Sequence, residues 1–188
     1  MEVCLKMRKK VVAISGMPGA GKGVAAQAGK ELGYEIFVLG DVIREETERR
    51  GLEPTPQNMG NVMLDVRKSE GPAVVAKRLI PKIQSTSTST VMVEGIRSID
   101  ELNELKSKFL VILVVIHASP KTRYTRLLER NRSDDPKDVE TFEKRDFREL
   151  DVGLGHVLSL ADLVLVNEGT ITELQSAFKN ACSKLNLQ

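Results

Sequence analysis

Residues 11–23, reading VVAISGMPGAGKG, limit what this chain can fold into more than any other stretch. Val11 through Ser15 are small or β-branched, which suits a short buried strand. A glycine loop carrying one lysine follows at once. Gly16, Gly21 and Lys22 have the spacing G-x-x-x-x-G-K, in which backbone N–H groups wrap phosphate oxygens and the lysine reaches the β and γ phosphates of a nucleotide. Met17, Pro18, Gly19 and Ala20 complete the loop. Glycine is needed where the backbone approaches a ligand in conformations that a Cβ forbids. Gly23 and Val24 lead into a helical pattern over 24–32, whose N-terminus adds partial positive charge to the same anion site. A glycine-rich turn in an α/β domain is the bland alternative, and a strand before the loop with a helix after it weighs against that.

Apolar strand-like runs recur at 11–15, 35–39, 91–93, 109–116 and 162–166, with helical patterns between them. None alternates as a half-exposed antiparallel strand does. The expected fold is therefore α/β in three layers, a five-stranded parallel sheet with helices on both faces. In such sheets ligands bind at the carboxyl ends of the strands, so the residues just after each run should face one crevice. At 188 residues, without an internal repeat, the chain reads as a single domain over 1–188. Its core would be 8–40 and 85–188, with 41–84 a helical insertion over the crevice.

Charged residues make up 29% of the chain, but the net charge is only +2, so no global field points to nucleic acid. Cys4 and Cys182 lie near opposite ends without metal-ligand spacing, and no signal peptide is apparent, which suggests a reducing cytoplasm. The longest apolar run, 109–116, is too short to span a membrane. Residues 1–7 read as a leader before a second methionine, Met7, with no function attached.

Several residues after the strands carry chemistry. Asp41 reads as the N-cap of a helix over 42–50. Glu94, Gly95 and Arg97 follow the third run, and a carboxylate there is placed to order the waters of a metal ion or, blandly, to cap or pair at the surface. Ser119-Pro120 starts a helix carrying Arg123, Arg126 and Arg130 on one face, with Arg132 just beyond. So many like charges repel unless an anion sits among them, and phosphate contact is expected. Arg145 and Arg148 belong to a further helix, expected opposite that cluster. His117 and His156 share no catalytic spacing and read as structural.

Taken together, these segments resemble the nucleoside monophosphate kinases. The run 16–23 is similar to the G-x-P-G-x-G-K-G loop of adenylate kinases, and Gly40-Asp41-Val42-Ile43-Arg44 resembles their G-D-x-x-R segment. Glu94-Gly95-Ile96-Arg97 stands where that family has D-G-F-P-R. Arg130-Asn131-Arg132-Ser133-Asp134-Asp135, followed by Arg145, looks like the short lid of uridylate/cytidylate kinases, here 130–145. The tail, Ala161-Asp162 to Asn167-Glu168-Gly169, is closer to dephospho-coenzyme A kinases. As a whole the chain most resembles archaeal adenylate-kinase-related nucleotide kinases of unassigned substrate.

The resemblance implies ATP as donor, Mg2+ as cofactor and a phosphate-bearing nucleotide such as AMP as acceptor, with membranes and nucleic acid not expected as partners. Lys22 would stabilise charge on the transferred group, and Arg126 would lie against the donor base. Arg130, Arg132 and Arg145 would close over the phosphates. Asp41, Arg44, Glu94, Gly95 and Arg97 would form the acceptor side, with Glu94 reaching the metal through water. Three departures stand out. Val24 replaces a threonine, Glu94 replaces an aspartate, and the proline and glutamine expected around Ile96 and Ser98-Ile99-Asp100 are missing. Val24 and the altered acceptor loop motivate one alternative, a nucleotide-binding regulatory module. The resemblance itself implies another, an ATPase acting on RNA or ribosome assembly, since one kinase relative of this shape is associated with that role.

Overall fold

The computed structural model describes residues 8–132 and 135–185. Residues 1–7, with Cys4 and Met7 among them, and Ser133 and Asp134 between Arg132 and Asp135 lie outside the described residues. In chain order the elements are β1 (Lys10–Ser15), α1 (Lys22–Glu31), β2 (Glu35–Val38), α2 (Leu39–Arg49), α3 (Pro56–Glu70), α4 (Val74–Ser85), β3 (Thr90–Glu94), α5 (Ile99–Lys108), β4 (Leu110–His117), α6 (Pro120–Arg130), α7 (Val139–Asp151), α8 (Leu154–Ser159), β5 (Leu163–Val166) and α9 (Ile171–Lys184). The strands form one parallel sheet in the order β2-β3-β1-β4-β5.

The apolar runs exist because the central strands are buried on both faces. Val11, Ala13, Val91, Val93, Leu113 and Val115 point to one side, where Val42, Val66, Leu79, Leu102 and Leu105 of α2 to α5 cover them. Val12, Ile14, Met92, Val114 and Ile116 point to the other, under Ala25, Ala28, Leu174 and Phe178 of α1 and α9. The expectation that no run alternates fails at β5. There Leu163 and Leu165 pack against the α1/α9 side while Val164 and Val166 are exposed. β5 is an edge strand, and its other face is left in solvent.

Helix α2 runs straight out of β2, with extended Val38 as its cap, so Asp41 lies in the first turn rather than at the N-cap. A carboxylate there still complements the helix N-terminus. Glu46, buried on α2, accepts hydrogen bonds from Arg49 (2.8 Å), Arg50 (2.8 Å) and, on α4, Arg78 (3.1 Å). Those bonds hold its carboxyl down to about 2 and tie α2 to α4. Thr55 caps α3 by accepting from the Asn58 N–H at 3.2 Å. Ser98 and Glu101 form a reciprocal capping box that starts α5.

Phe178 is fully buried between α9 and the sheet. Phe178→Ala is expected to cost about 3–5 kcal/mol, read as a lowered midpoint in chemical denaturation at unchanged slope.

Candidate functional site

The loop between β1 and α1 has almost no room for side chains. Gly16 has φ +149° and Gly21 φ +105°, both in the region that favours glycine. A Cβ on Gly16 would collide with the Ile116 carbonyl oxygen, and one on Gly21 with the Asn167 amide. The loop thus threads between the ends of β4 and β5. Asn167, buried just after β5, donates from Nδ2 to the Ala20 carbonyl at 2.8 Å. On the other flank, the Ser15 hydroxyl donates to the Ile96 carbonyl at 2.7 Å and the Gly95 N–H to the Ile14 carbonyl at 3.0 Å. These bonds fix the β3 exit, and with it Arg97, beside the loop.

Lys22 curls back over the loop, its Nζ donating to the carbonyls of Gly16 (2.7 Å) and Met17 (3.2 Å). Val24, one turn into α1, packs sideways against the α1/α9 core.

Two cavities open at the carboxyl ends of the strands. A small one, about 110 Å³, is lined by Gly16, Gly19, Lys22, Arg97, Arg130, Arg145 and Glu149, among others. A larger cleft, about 640 Å³, lies toward α2 and α3, with Ile43, Met59, Met63 and Leu64 as apolar wall and Arg44, Arg67, Arg132 and Arg148 among its polar groups. Gly95, Arg97, Arg145 and Glu149 line both. The expected residues therefore divide: Lys22 and Arg130 face the small cavity, Arg44 and Arg132 the larger, Arg97 and Arg145 their common wall. Asp41 and Glu94 line neither. Arg126 lies elsewhere, donating to the carbonyls of Asn167 (2.9 Å) and Gly169 (3.0 Å).

The expectation that only an anion could relieve the arginine cluster on α6 is corrected. Arg123 is buried, 3% exposed, and grips Asp146 through two bonds of 2.8 and 2.5 Å while also donating to the Pro18 carbonyl. Its guanidinium also stacks over Phe142, 5.0 Å from the ring centroid. Arg130 binds Asp135 in the same two-pronged way, at 2.8 and 2.5 Å. Two arginines of the cluster are held by carboxylates, one in the segment leading into α7 and one on α7 itself. Arg123 is thus a structural prop beneath the phosphate loop.

Sequence reasoning missed three acidic groups here. Asp146 and Glu149 carry no local signal that sets them apart from other acids on a charged helix. Glu101 is buried, binds Arg67 at 2.5 Å and accepts the Arg97 N–H at 2.8 Å. Its signal was present, as the Ser98-x-x-Glu101 capping pattern.

Withdrawal from water lowers the Lys22 pKa to about 8; Glu94 works against the shift and Arg97 with it. The free protein's lysine thus carries its charge below pH 8 and sheds it above, and a bound phosphate would restore the proton. Affinity for ATP is expected to fall as pH rises from 8 to 9.5, with net proton uptake on binding near pH 8, both measurable by calorimetry in buffers of different ionisation enthalpy. Asp146→Ala, which strands buried Arg123, is expected to destabilise the fold by about 3–5 kcal/mol, measured by urea denaturation.

Among the described residues no helix is long and apolar enough to cross a membrane, and no group of three or more His, Cys, Asp or Glu stands ready to hold a metal. The family described as "AAA domain" matches residues 15–143. A "UPF0200 protein" of Hyperthermus butylicus is 41% identical over 178 residues, covering 95% of this chain and 96% of its own. The "UPF0200 protein PH1008" of Pyrococcus horikoshii is 42% identical, covering 93% and 97%. Among solved structures, TT1252 from Thermus thermophilus superposes with a TM-score of 0.67 at 16% identity, covering 95% of this chain and 98% of that one. Shikimate kinase from Acinetobacter baumannii, in complex with shikimate, gives 0.59 at 18% identity and covers 97% of both chains. The chain belongs to the UPF0200 family, within the AAA-domain group of phosphate-loop proteins, and shares its fold with kinases.

Proposed function

We propose that this UPF0200 protein is a nucleotide-dependent phosphotransferase, moving the γ-phosphate of ATP to a phosphate-bearing nucleotide such as AMP. The observation that carries this reading is the meeting of two cavities at Arg97 and Arg145, one beside the glycine loop and one beside Arg44. Donor phosphates on the loop and an acceptor in the larger cleft would face each other across that wall. Positioning and charge stabilisation supply most of the rate in such a transfer, which suits a site rich in glycine, lysine and arginine.

In this reading Lys22 bridges the donor phosphates, and Arg130 and Arg145 neutralise charge from above. Arg44, Arg97 and Arg132 grip the acceptor's phosphate, and Arg126 backs the donor base beside the loop after β5. Among the described residues no cluster of carboxylates is built to cage a metal, so Mg2+ would be held mostly by phosphates and water, with Glu94 at the end of β3 ordering its waters. It would supply charge neutralisation on the phosphates. A second reading, a nucleotide-binding module with little transfer, draws on Val24, whose side chain is spent on the core where a hydroxyl would face the nucleotide.

Lys22→Ala is expected to weaken ATP binding roughly 10- to 100-fold, the worth of a charge-assisted hydrogen bond. Arg44→Ala should weaken acceptor binding by a similar factor while leaving ATP binding within about twofold. Calorimetric titration of each ligand checks the pair. Equal losses for both ligands in Arg44→Ala would contradict the two-subsite assignment, and stoichiometric rather than catalytic ADP release would favour the binding module.

A further inference from the structure

Of four carboxylates on the elements around the two cavities, three are already committed. Asp135, Asp146 and Glu101 each hold a guanidinium at 2.5 Å. Glu149 differs. It is buried, its side chain 6% exposed, but its ion pair with Arg97 is 3.5 Å long, beyond direct hydrogen-bond length. It is also the one carboxylate, among the described residues, that lines both cavities. A loosely held, buried anion therefore stands at the boundary where a donor phosphate and an acceptor would meet.

We infer that Glu149 is the base that takes the proton of the attacking group, and hence that the acceptor offers a hydroxyl rather than a phosphate to the phosphoryl group. This rests on the phosphotransferase reading and narrows it. A phosphate acceptor arrives with its attacking oxygen already deprotonated; it needs no base, and a buried carboxylate repels it. A hydroxyl must shed a proton as its bond to phosphorus forms, and a carboxylate within reach is the group that accepts it. The acceptor's own phosphate is then an anchor, held by Arg44, Arg132 and Arg148, which line the larger cleft but not the smaller cavity.

In the step so assigned, the hydroxyl oxygen bonds to the γ-phosphorus while the bond from that phosphorus to the β,γ-bridging oxygen breaks. The bonding electrons leave with ADP. The hydroxyl proton passes to Glu149, which returns it to solvent after the products depart. Arg97 and Arg145 on the common wall offset the charge of the phosphoryl group, and Arg97 keeps the carboxylate pointed at the boundary.

The test compares wild type, Glu149→Gln and Glu149→Asp, with Lys22→Ala as the control for the underlying reading. ATP is supplied with AMP or with dephospho-coenzyme A as probe, and phosphorus NMR distinguishes a new phosphoester from a new pyrophosphate linkage. ATP hydrolysis, in which water is the hydroxyl donor, is followed in parallel. Phosphoester or hydrolysis products are expected, with kcat in Glu149→Gln reduced at least about 100-fold. The acidic limb of its pH profile should be lost, Glu149→Asp should retain an intermediate rate, and calorimetric ATP affinity should stay within about twofold. A pyrophosphate product, an unchanged rate in Glu149→Gln, or no turnover at all in wild-type protein that binds ATP overturns the inference. ATP bound more than tenfold tighter by Glu149→Gln, without slower turnover, overturns it too, because the carboxylate then merely fills a phosphate position. Absence of ATP binding in wild type and Lys22→Ala alike is a separate result, and it defeats the phosphotransferase reading itself.

Discussion

The structure depends on β1 being buried on both faces and then ending in a loop with no space for side chains. Burial places β1 at the centre of the sheet, between β3 and β4. That position brings the exits of β3 and β5 to either side of the glycine loop. The Ser15 and Gly95 bonds fasten one flank and Asn167 the other. Arg97 and the Lys22 ammonium are near each other because these backbones are, and the charged groups were added to a frame that local hydrogen bonding had already set.

Around that frame the charges are mostly paired, and the pairing separates scaffold from chemistry. Arg123 is buried, holds Asp146 through two bonds, and braces the loop at Pro18. Glu101 joins Arg67 of α3 to the backbone of Arg97. Such pairs cost desolvation and return it only through tight geometry, so their value lies in holding parts in register. The Arg97–Glu149 contact is looser, 3.5 Å, and it sits at the wall between the cavities.

Much of this was legible in the residues. The parallel sheet followed from apolar runs without alternation, and the phosphate loop from its glycines between a strand and a helix. What could not be read was long-range pairing. Nothing local marks Asp146 as the partner of Arg123, since an acid on a charged helix looks the same whether it faces water or a buried guanidinium. Asp41 was misplaced because α2 starts without a connecting loop, so the capping pattern lay one turn too late. β5 departed from the expected burial because edge position is a property of the sheet and not of the strand.

Gly21 and Asn167 occupy adjoining space, though they are far apart in the chain. In mutational terms they behave as a single locus. A side chain at position 21 needs a smaller residue at 167, yet a smaller residue there leaves the Ala20 carbonyl without its donor. No pairwise exchange of ordinary residues relieves the crowding and keeps the bond, and the left-handed backbone at 21 penalises the exchange further. Drift at this corner of the molecule is closed off from both directions, by geometry that would hold even if the protein bound nothing.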